Sequence, residues 1–508
     1  MVATAAPAES ASTLTPPGDL PPLATRLVAL AALAKVVFHL STATVLGFHR
    51  DEFYYLAGGR HLSWGYVDHP PLTPFLDRVS ETLLGDSQFA LHVLPALVGG
   101  LLVVLAAVLA RELGGGRTAQ GITMLVAGLG PLYLTPMHFL GTVTVDLLAW
   151  AAATWLVIRI VRTGDVRLWL AVGAVVGLGL LNKHSMLFWL GGAGVGLLLS
   201  PERRLLGNRW FVAGAALATL MFLPNLVWQI QHHWPTLEFL GNLRAEHAAE
   251  DMSQFIPLQF GIVTIAGTAL WVVALRRLLR DPAWRQYRWL AIAYGLLFVV
   301  LFASGGKAYY LGSIYLPLVA IGAVVVEQSW TRVARRRLVA AIVATGILLA
   351  PVFTPLLPTS ALATVPLQKV NGDASAMLGW HDVARQIATA YHRLPADQQR
   401  SGVIFTANYS EAGAVDYWKH QLDLPGAISG HNTYWYWGYQ PERRGVPVLA
   451  VGFDQTYLNR FFGGCQHVGV LHAAHDLMDS VALGEQLTVC QTIKAGWAAT
   501  WPKLKHFQ

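Results

Sequence analysis

The stretch "HRDEFYYLAGGRHLSWGYVDHPPL", residues 49–72, gathers many reactive side chains within one short segment of this 508-residue chain. Its candidate functional residues are Asp51, Glu52, Tyr54, Tyr55, Arg60, Asp68 and His69. A carboxylate can act as a general base on a hydroxyl or amine nucleophile. Cationic side chains nearby can bind a phosphate and stabilise its charge as it leaves. Together these residue types indicate a transfer reaction with a phosphate leaving group.

Three later segments repeat this mixture of acids, bases and tyrosines. They are "TPMHFLGTVTVDLL" with His138 and Asp146, "LLNKHSM" with Lys183 and His184, and "GGKAYYLGSIYLP" with Lys307, Tyr309 and Tyr310. Each adjoins an apolar segment, and antiparallel helices in a bundle bring such loop ends together. We therefore expect the four segments to share one mouth of a helical bundle, where apolar walls would suit the tail of a lipid-linked phosphate.

Each of these residues also has a simpler interpretation. The acidic residues could cap helices and favour the positive N-terminal dipole. Lys183 and Lys307 could extend to lipid head groups, as long cationic side chains do at membrane surfaces. His69, which precedes two prolines, could hydrogen-bond a turn. The sequence alone leaves these alternatives open.

The chain offers little sign of a cofactor. His232 and His233 are adjacent in "QIQHHWP", but neighbouring histidines in a loop are more often polar surface residues than metal ligands. The sequence has no phosphate-cradling glycine loop and no clear metal-ligand spacing. We predict no bound cofactor and no metal ligands, leave a metal requirement open, and do not expect nucleotide-driven chemistry on the cytoplasmic side.

Composition indicates a polytopic α-helical membrane protein. Apolar residues make up 54% of the chain and charged residues only 13%, against roughly 25% charged in a typical soluble domain. The net charge of +7 comes largely from arginines in short loops, so it does not predict a nucleic-acid partner. About eleven segments are apolar enough to span a membrane, near 24–46, 89–110, 118–137, 140–160, 166–182, 185–200, 210–230, 256–275, 286–303, 309–327 and 337–357. The pair at 166–182 and 185–200 could also be one broken helix.

The loops alternate in their content of Lys and Arg, which predicts orientation. One set carries about three times as many as the other, and the richer set marks the cytoplasmic side. We expect a plasma (inner) membrane protein with a cytoplasmic N-terminus. Residues 1–22 resemble a disordered tail, and the first apolar run a retained anchor. A membrane domain then covers 23–357, and its first external loop, 47–88, contains the opening stretch.

The remaining residues, 358–508, predict an extracytoplasmic α/β domain. "SGVIFTANY" and "GVPVLAVGF" have the pattern of strands, and "ASAMLGWHDVARQIATAYHRL" that of an amphipathic helix. Cys465 and Cys490 are the only cysteines. In an oxidising compartment they could pair, or they could remain two buried thiols, because sequence does not give their separation.

Several of these motifs resemble those of a known family. "DEFYYLAGGRHL" followed by "GYVDHPPL" is similar to the first external loop of the bacterial glycosyltransferase family 39/83 group, of the GT-C class. That group includes protein O-mannosyltransferases and the aminoarabinose transferases that modify lipid A. "VDLL", "GLGLLNKHSMLFW" and "GKAYYLGSIYLPL" follow in the expected order, so the resemblance covers about 24–357. "ANYSEAGAVDYW" and "ISGHNTYWYWG" resemble the soluble domain of uncharacterised bacterial members.

The resemblance implies an inverting transfer of a sugar from a polyprenyl-phosphate donor to a protein, lipid or polysaccharide acceptor at the outer membrane face. It assigns the base to Asp51, with Glu52 beside it, and matches Asp146 to a second acidic position. His69 stands where aminoarabinose transferases have a Lys that contacts the lipid phosphate. A neutral imidazole binds an anion less strongly, so Lys183, Lys307 or Arg60 would contribute more. Tyr54 replaces an Arg of the family, which changes the expected donor contacts.

Two other functions fit parts of the sequence. A transporter or flippase of a lipid-linked or anionic substrate would place its charges near the membrane midplane, often in repeated halves. Here the charges lie at outer ends and no repeat is evident. A non-catalytic envelope scaffold would not require acids and bases to converge from four segments. The sequence therefore favours the glycosyltransferase.

Overall fold

The structure is a computed structural model that describes residues 20–357, 371–440, 445–473, 479 and 481–508. Most of the expected disordered tail, at 1–19, lies outside these residues. So does the start of the expected external domain, at 358–370.

The first part of the chain is a bundle of helices. They are α1 (Thr25–Ser41), α2 (Arg50–Arg60), α3 (Leu72–Leu84), α4 (Gln88–Glu112), α5 (Arg117–Leu129), α6 (Pro131–Leu134), α7 (Thr142–Thr163), α8 (Trp169–Asn182), α9 (Met186–Leu198), α10 (Arg209–Gln231), α11 (Pro235–Gln259), α12 (Thr268–Arg280), α13 (Trp289–Ala303), α14 (Tyr315–Ser329) and α15 (Arg332–Phe353). A 3-10 segment, Ala308–Ile314, leads into α14.

Several of these helices fit a membrane. Among the described residues, five are long and apolar enough to cross one: Gln88–Glu112, Thr142–Thr163, Arg209–Gln231, Ala308–Ser329 and Arg332–Phe353. Three shorter apolar helices accompany them, at Val166–Asn182, Met186–Leu198 and Trp289–Ala303. The protein is therefore a polytopic helical membrane protein, as predicted. The uncertain segment around "NKHS" forms two helices, α8 and α9, rather than one.

The predicted span at 256–275 is wrong as a continuous helix. α11 ends at Gln259, and α12 begins only at Thr268. Pro257 lies in the last turn of α11 and has no N–H to continue the hydrogen-bonding pattern. Thr264 has a φ of 82°, a left-handed conformation that no α-helix accommodates. Hydropathy alone did not reveal this interruption.

Close backbone packing holds neighbouring helices together. A Cβ atom added at Gly173 of α8 would lie 2.2 Å from the backbone oxygen of Gly214 in α10. Small residues at such contacts are typical of helix pairs in membranes, where packing rather than hydrophobic exclusion drives association. The bundle therefore provides a rigid support for the loops at its ends.

The second part of the chain is an α/β unit. Its strands are β1 (Val403–Thr406), β2 (Ala427–Ser429), β3 (Val448–Val451), β4 (Phe462–Val470) and β5 (Gln486–Ile493), in the order β2-β1-β3-β5-β4. β1 is parallel to β2 and β3, and β5 is antiparallel to β3 and β4. Its helices are α16 (Gly372–Ser375), α17 (Trp380–His392), α18 (Ala396–Ser401), α19 (Tyr409–Trp418), α20 (Tyr434–Trp437), α21 (Gln455–Phe461) and α22 (Gly496–Thr500).

The two cysteines lie directly opposite each other in the sheet. Cys465 of β4 pairs in register with Cys490 of β5, and their sulfur atoms form a disulfide. Of the two alternatives that the sequence left open, the structure therefore has the disulfide.

The α/β unit packs on the first loop of the bundle. Phe53 of α2 belongs to the same buried cluster as Trp380 of α17 and Ile404 of β1. A Cβ atom added at Gly413 of α19 would lie 2.6 Å from the Cβ atom of Phe53. Helix α2 is consequently enclosed between the bundle and the α/β unit.

Candidate active site

The N-terminus of α2 positions the "DE" pair. His49 is the N-cap residue, and its Nδ1 accepts a hydrogen bond of 3.1 Å from the backbone N–H of Asp51. The backbone N–H of His49 donates to Glu52 Oε2 at 2.8 Å, which completes a capping box. The capping interpretation thus holds for Glu52, whereas the carboxylate of Asp51 takes no part in the cap.

Glu52 is a buried anchor rather than an accessible group. Its side chain is fully buried, and Oε1 accepts the backbone N–H of Leu140 at 3.0 Å. His92 Nε2 lies 3.1 Å from the same oxygen, while His92 Nδ1 lies 2.8 Å from the carbonyl of Ala43. Both ring nitrogens of His92 thus lie beside oxygen atoms that can accept a hydrogen bond. Glu52 therefore ties α2 to α4 and to the segment before α7.

Asp51 projects from α2 and keeps one-third of its side chain exposed. The hydroxyl of Tyr409 donates to its Oδ1 at 2.8 Å. His49 Nδ1 lies 3.9 Å from Oδ2 and Arg50 Nε 3.9 Å from Oδ1. Burial alone would raise the pKa of Asp51, but the neighbouring His49, Arg50 and Lys307 and the hydrogen bond from Tyr409 hold that pKa below its ordinary value. Asp51 is consequently a carboxylate at neutral pH.

Tyr54 and Asp68 form a second polar contact beside Asp51. The Tyr54 hydroxyl donates to Asp68 Oδ1 at 2.8 Å and accepts the backbone N–H of Thr433 at 3.1 Å. Burial, and then the charge of Asp68, raise the pKa of Tyr54 well above its ordinary value, so it stays a neutral phenol. This tyrosine links the first loop to the α/β unit rather than lining an open space.

His69 follows Asp68 in the first loop and has a buried imidazole ring. Its Nδ1 lies 2.9 Å from the Pro70 carbonyl, so that nitrogen carries the proton and the turn interpretation holds. Its buried Nε2 has no hydrogen-bond partner among the described residues and lies 3.9 Å from Asp68 Oδ1. Tyr55 contacts the His69 ring edge-on, with centroids 5.0 Å apart. One imidazole nitrogen therefore remains available to a ligand.

The other three predicted segments converge around Asp146 and Lys183. Ser185 Oγ donates to Asp146 Oδ1 at 2.6 Å, and Ser313 Oγ lies 3.4 Å from Oδ2. The ammonium of Lys183 lies 5.2 Å and 5.0 Å from the ring centroids of Tyr309 and Tyr310, within cation–π range. These contacts join α7, the linker between α8 and α9, and the segment Ala308–Ile314.

Tyr55 and Lys307 connect this cluster to Asp51. Burial is the main cause that raises the pKa of Tyr55 well above its ordinary value, followed by the charges of Asp51 and Asp68. Its hydroxyl also lies beside Thr142, one turn before Asp146 in α7. Lys307 is near enough to Asp51 to favour its charged form. The acids and cations of four segments therefore occupy one region.

One predicted residue, Arg60, lies apart from this region. Arg60, at the opposite end of α2, pairs with Glu81 at 2.7 Å and Asp86 at 3.2 Å. Arg60 lies nine positions after Asp51, which turns it to the other side of the helix. His184 Nε2 lies 3.2 Å from Asn225 Oδ1. We therefore correct the placement of Arg60, whereas His184 remains near His69 and contacts Asn225.

Two other histidine sites also have local partners. His138 packs edge-on against His39, with centroids 4.2 Å apart, and His232 stacks on Trp228 at 4.0 Å. Within the described ranges, no three His, Cys, Asp or Glu side chains are grouped to hold a metal ion.

Sequence reasoning missed Tyr409. It follows β1 at the first position of α19, and Asn408 caps that helix in a box with Glu411. Polar residues that follow a parallel strand and open a helix often line sites in α/β folds. The segment "NYSE", residues 408–411, has this pattern. Nothing in its sequence indicates that the Tyr409 side chain reaches α2.

Two largely apolar cavities lie in the bundle, and the smaller one adjoins the region. One of about 470 Å³ is lined by Lys307 and Tyr309 and by apolar residues such as Pro257, Leu258 and Ile262. A larger one of about 920 Å³ lies between α1, α5 and α15. The smaller cavity combines Lys307, Tyr309, Asp251 and Gln254 with apolar walls, which suits an amphipathic ligand.

Comparison with known proteins agrees with this arrangement. Residues 68–228 match the family model described as dolichyl-phosphate-mannose-protein mannosyltransferase. Over 92% of its length the chain superposes on ArnT from Cupriavidus metallidurans in the apo state, covering 97% of that protein with a TM-score of 0.60 at 14% identity. The chain therefore has an ArnT-like GT-C fold. The same ArnT bound to undecaprenyl phosphate superposes on this GT-C protein with a TM-score of 0.57 at 16% identity, covering 92% and 98% of the two chains.

Two curated proteins are similar in sequence to this GT-C protein. The lipid A galacturonosyltransferase RgtD of Rhizobium johnstonii is 29% identical over 288 residues, 52% of this chain and 56% of that protein. The undecaprenyl phosphate-alpha-4-amino-4-deoxy-L-arabinose arabinosyl transferase 1 of Pseudomonas fluorescens is 26% identical over 252 residues, 46% and 44% of the two. The alignment thus spans about half the length of these relatives. The predicted resemblance to GT-C class glycosyltransferases is confirmed.

Proposed function

We propose that this protein transfers a sugar from a polyprenyl-phosphate donor to an acceptor at the outer face of a bacterial plasma membrane. The observation that carries the proposal is the ionised, partly exposed Asp51 beside Lys307. Two curated relatives support it. The name of one is a lipid A galacturonosyltransferase, and the name of the other contains an undecaprenyl phosphate-linked sugar.

The donor phosphate would lie between Lys307 and Lys183. Both cations come from segments at the same end of the bundle, and the apolar cavity beside Lys307 and Tyr309 would receive part of the polyprenyl tail. Two ammonium groups can neutralise a phosphate that leaves as an anion. The Nε2 of His69, which has no hydrogen-bond partner among the described residues, would add a further polar contact.

Asp51 would act as the general base. The acceptor hydroxyl donates its proton to Asp51 Oδ2 as its oxygen attacks the anomeric carbon. The bond between that carbon and the phosphate oxygen breaks, and polyprenyl phosphate leaves with the electron pair. Attack opposite the phosphate inverts the anomeric configuration. Asp146 and its serine partners would hold a hydroxyl or amino group of the sugar or acceptor.

In this proposal the N-terminus is cytoplasmic, and the membrane domain covers about 23–357. The first external loop and the α/β unit, from about 358 onward, then lie outside. The disulfide between Cys465 and Cys490 agrees with that placement, because disulfides persist in oxidising compartments.

The test is mass spectrometry of envelope glycolipids, glycoproteins and polysaccharides from a deletion strain complemented with variants. We expect the deletion to lose one glycosylated species, the wild type to restore it, and Asp51→Asn to fail to restore it. Asp382→Asn is the matched control, since this acid pairs with Arg385 on the surface of the α/β unit. Restoration by Asp51→Asn to the wild-type level would refute the proposal.

A further inference from the structure

We infer that Tyr409 of the α/β unit is a positioning residue for Asp51, so that the external domain completes the active site. This inference rests on the proposed function of Asp51. It begins from one contact: the Tyr409 hydroxyl donates a hydrogen bond of 2.8 Å to Asp51 Oδ1 across two separately folded parts of the chain.

Tyr409 is itself held in place from several sides. Its ring stacks on Tyr54 with centroids 4.6 Å apart and lies tilted against His431 with centroids 4.9 Å apart. Its backbone N–H donates to His431 Nδ1 at 3.2 Å. Asn408 caps α19 by accepting the N–H of Glu411 at 3.0 Å. A side chain fixed at backbone and ring can fix the group that it contacts.

Helix α19 packs closely on α2 beside the contact between Tyr409 and Asp51. Gly413 approaches Phe53 so closely that a methyl group does not fit between them. On the other side of Tyr409, the Thr433 hydroxyl accepts the backbone N–H of Val67 at 3.0 Å, and the Thr433 backbone N–H donates to Tyr54. The α/β unit thus contacts the first loop at three points around Asp51.

The bond also selects which carboxylate oxygen reacts. Oδ1 is occupied by the Tyr409 hydroxyl, while Oδ2 has no hydrogen-bond donor among the described residues and lies 3.9 Å from His49 Nδ1. An acceptor hydroxyl therefore meets Oδ2. A catalytic group held in one orientation reacts faster, because less freedom is lost on reaching the transition state.

Several titratable and charged groups face Asp51 and its neighbour His49. They are His49 and Arg50 at the start of α2, Tyr55 within α2, Asp68 in the first loop, Lys307 before α14, Asp373 of α16 and Tyr409 of α19. Among them Tyr409 alone donates a short hydrogen bond to the Asp51 carboxylate. Its hydroxyl favours the charged form of Asp51, so its removal makes the carboxylate easier to protonate.

The experiment uses the full chain in lipid nanodiscs and dicyclohexylcarbodiimide, a reagent that modifies protonated carboxyl groups. Peptide mass spectrometry measures the labelling of Asp51 as a function of pH. In Tyr409→Phe, which keeps the stacked ring, we expect labelling to begin at a higher pH than in the wild type. Tyr457→Phe is the matched control, because this tyrosine of the same domain lies in α21 and stacks on Phe453. An unmoved labelling curve in Tyr409→Phe overturns the inference.

A second substitution tests whether the labelling of Asp51 also shifts in the opposite direction, to lower pH. Incorporation of 3-fluorotyrosine at position 409 makes the phenol a stronger donor, so labelling of Asp51 should begin at a lower pH than in the wild type. This keeps the test decisive if Tyr409→Phe folds poorly, which thermal unfolding would reveal. A curve that stays in place with the fluorinated residue also overturns the inference.

Turnover separates this inference from the proposed function. With a donor that the wild type uses, Tyr409→Phe should lower kcat about tenfold, the effect of one lost hydrogen bond to a charged group, with little change in donor KM. If Asp51→Asn abolishes transfer and Tyr409→Phe moves neither kcat nor labelling, only the role of Tyr409 fails. If Asp51→Asn retains full transfer, the proposed function fails, whatever Tyr409→Phe does to labelling.

Discussion

The adjacent acids of the "DE" pair should respond in opposite ways to the loss of their charge. Glu52 is fully buried, and three donors converge on it: the backbone N–H groups of His49 and Leu140 and the Nε2 of His92. In Glu52→Gln one carboxylate oxygen becomes an NH₂ group that faces a donor. We therefore expect folding to suffer and the chemistry to persist.

The magnitude follows from those contacts. Leaving a buried hydrogen-bonding group without its partner costs about 1–3 kcal/mol, because the new NH₂ group faces a donor where the carboxylate oxygen accepted a hydrogen bond. The capping box of α2 weakens as well, which adds about 1 kcal/mol. In detergent, the Tm of Glu52→Gln should fall by several degrees, while kcat measured well below that Tm falls by less than about tenfold.

Asp51→Asn should show the reverse pattern. Its side chain is one-third exposed and accepts a single short bond, from Tyr409, so the Tm should change little. Transfer should fall by about two to four powers of ten, the usual contribution of a general base. Glu238→Gln controls for the Glu→Gln change, since its pair with Lys505 is exposed and such pairs contribute about 0–1 kcal/mol.

The assay is a thermal unfolding curve and a turnover measurement on the same purified sample of each variant. The reasoning would be refuted if Glu52→Gln kept the wild-type Tm but lost transfer as completely as Asp51→Asn. Glu52 would then take part in the reaction, despite the network that encloses it.

Three further predictions concern the same region. Lys307→Ala should raise the donor KM more than the acceptor KM, because its ammonium would bind the donor phosphate; equal effects on both substrates would contradict this. The pKa of Asp51 is held below its ordinary value, so its contribution to kcat/KM should stay constant from pH 7 to pH 5 and decline only as pH falls through that lowered pKa; a decline centred near pH 6 would exclude Asp51 as the titrating base. Gly413→Ala forces its new methyl group against Phe53, so it should lower both Tm and turnover, whereas an unchanged Tm would show that the two domains separate freely.

The membrane helices were predictable because long apolar segments have few alternatives to helix in a bilayer. The sequence located α4, α7, α10 and α15 within a few residues. It failed at 256–275, where a proline and a left-handed Thr264 interrupt a run that is apolar throughout. Backbone conformation at a single residue is not encoded in hydropathy.

The residue types of the site were predictable from the sequence, but the contacts between them were not. Charge alternation between loops indicated that Asp51, Asp146 and Lys307 share one side of the bundle. The direction in which each side chain of α2 points was harder to predict. Arg60 is near Asp51 in sequence, yet two and a half helical turns place it on the other side of the helix. The contact from Tyr409 depends on how two domains dock, and no local pattern reports such a distant pairing.

The close approach of Phe53 and Gly413 has an evolutionary consequence. Two segments far apart in the chain meet as matched surfaces beside the reacting carboxylate, so a change in one restricts what the other can become. A chimera that joins this membrane bundle to the external domain of a relative should work only when the loop carrying Asp51 is exchanged together with that domain.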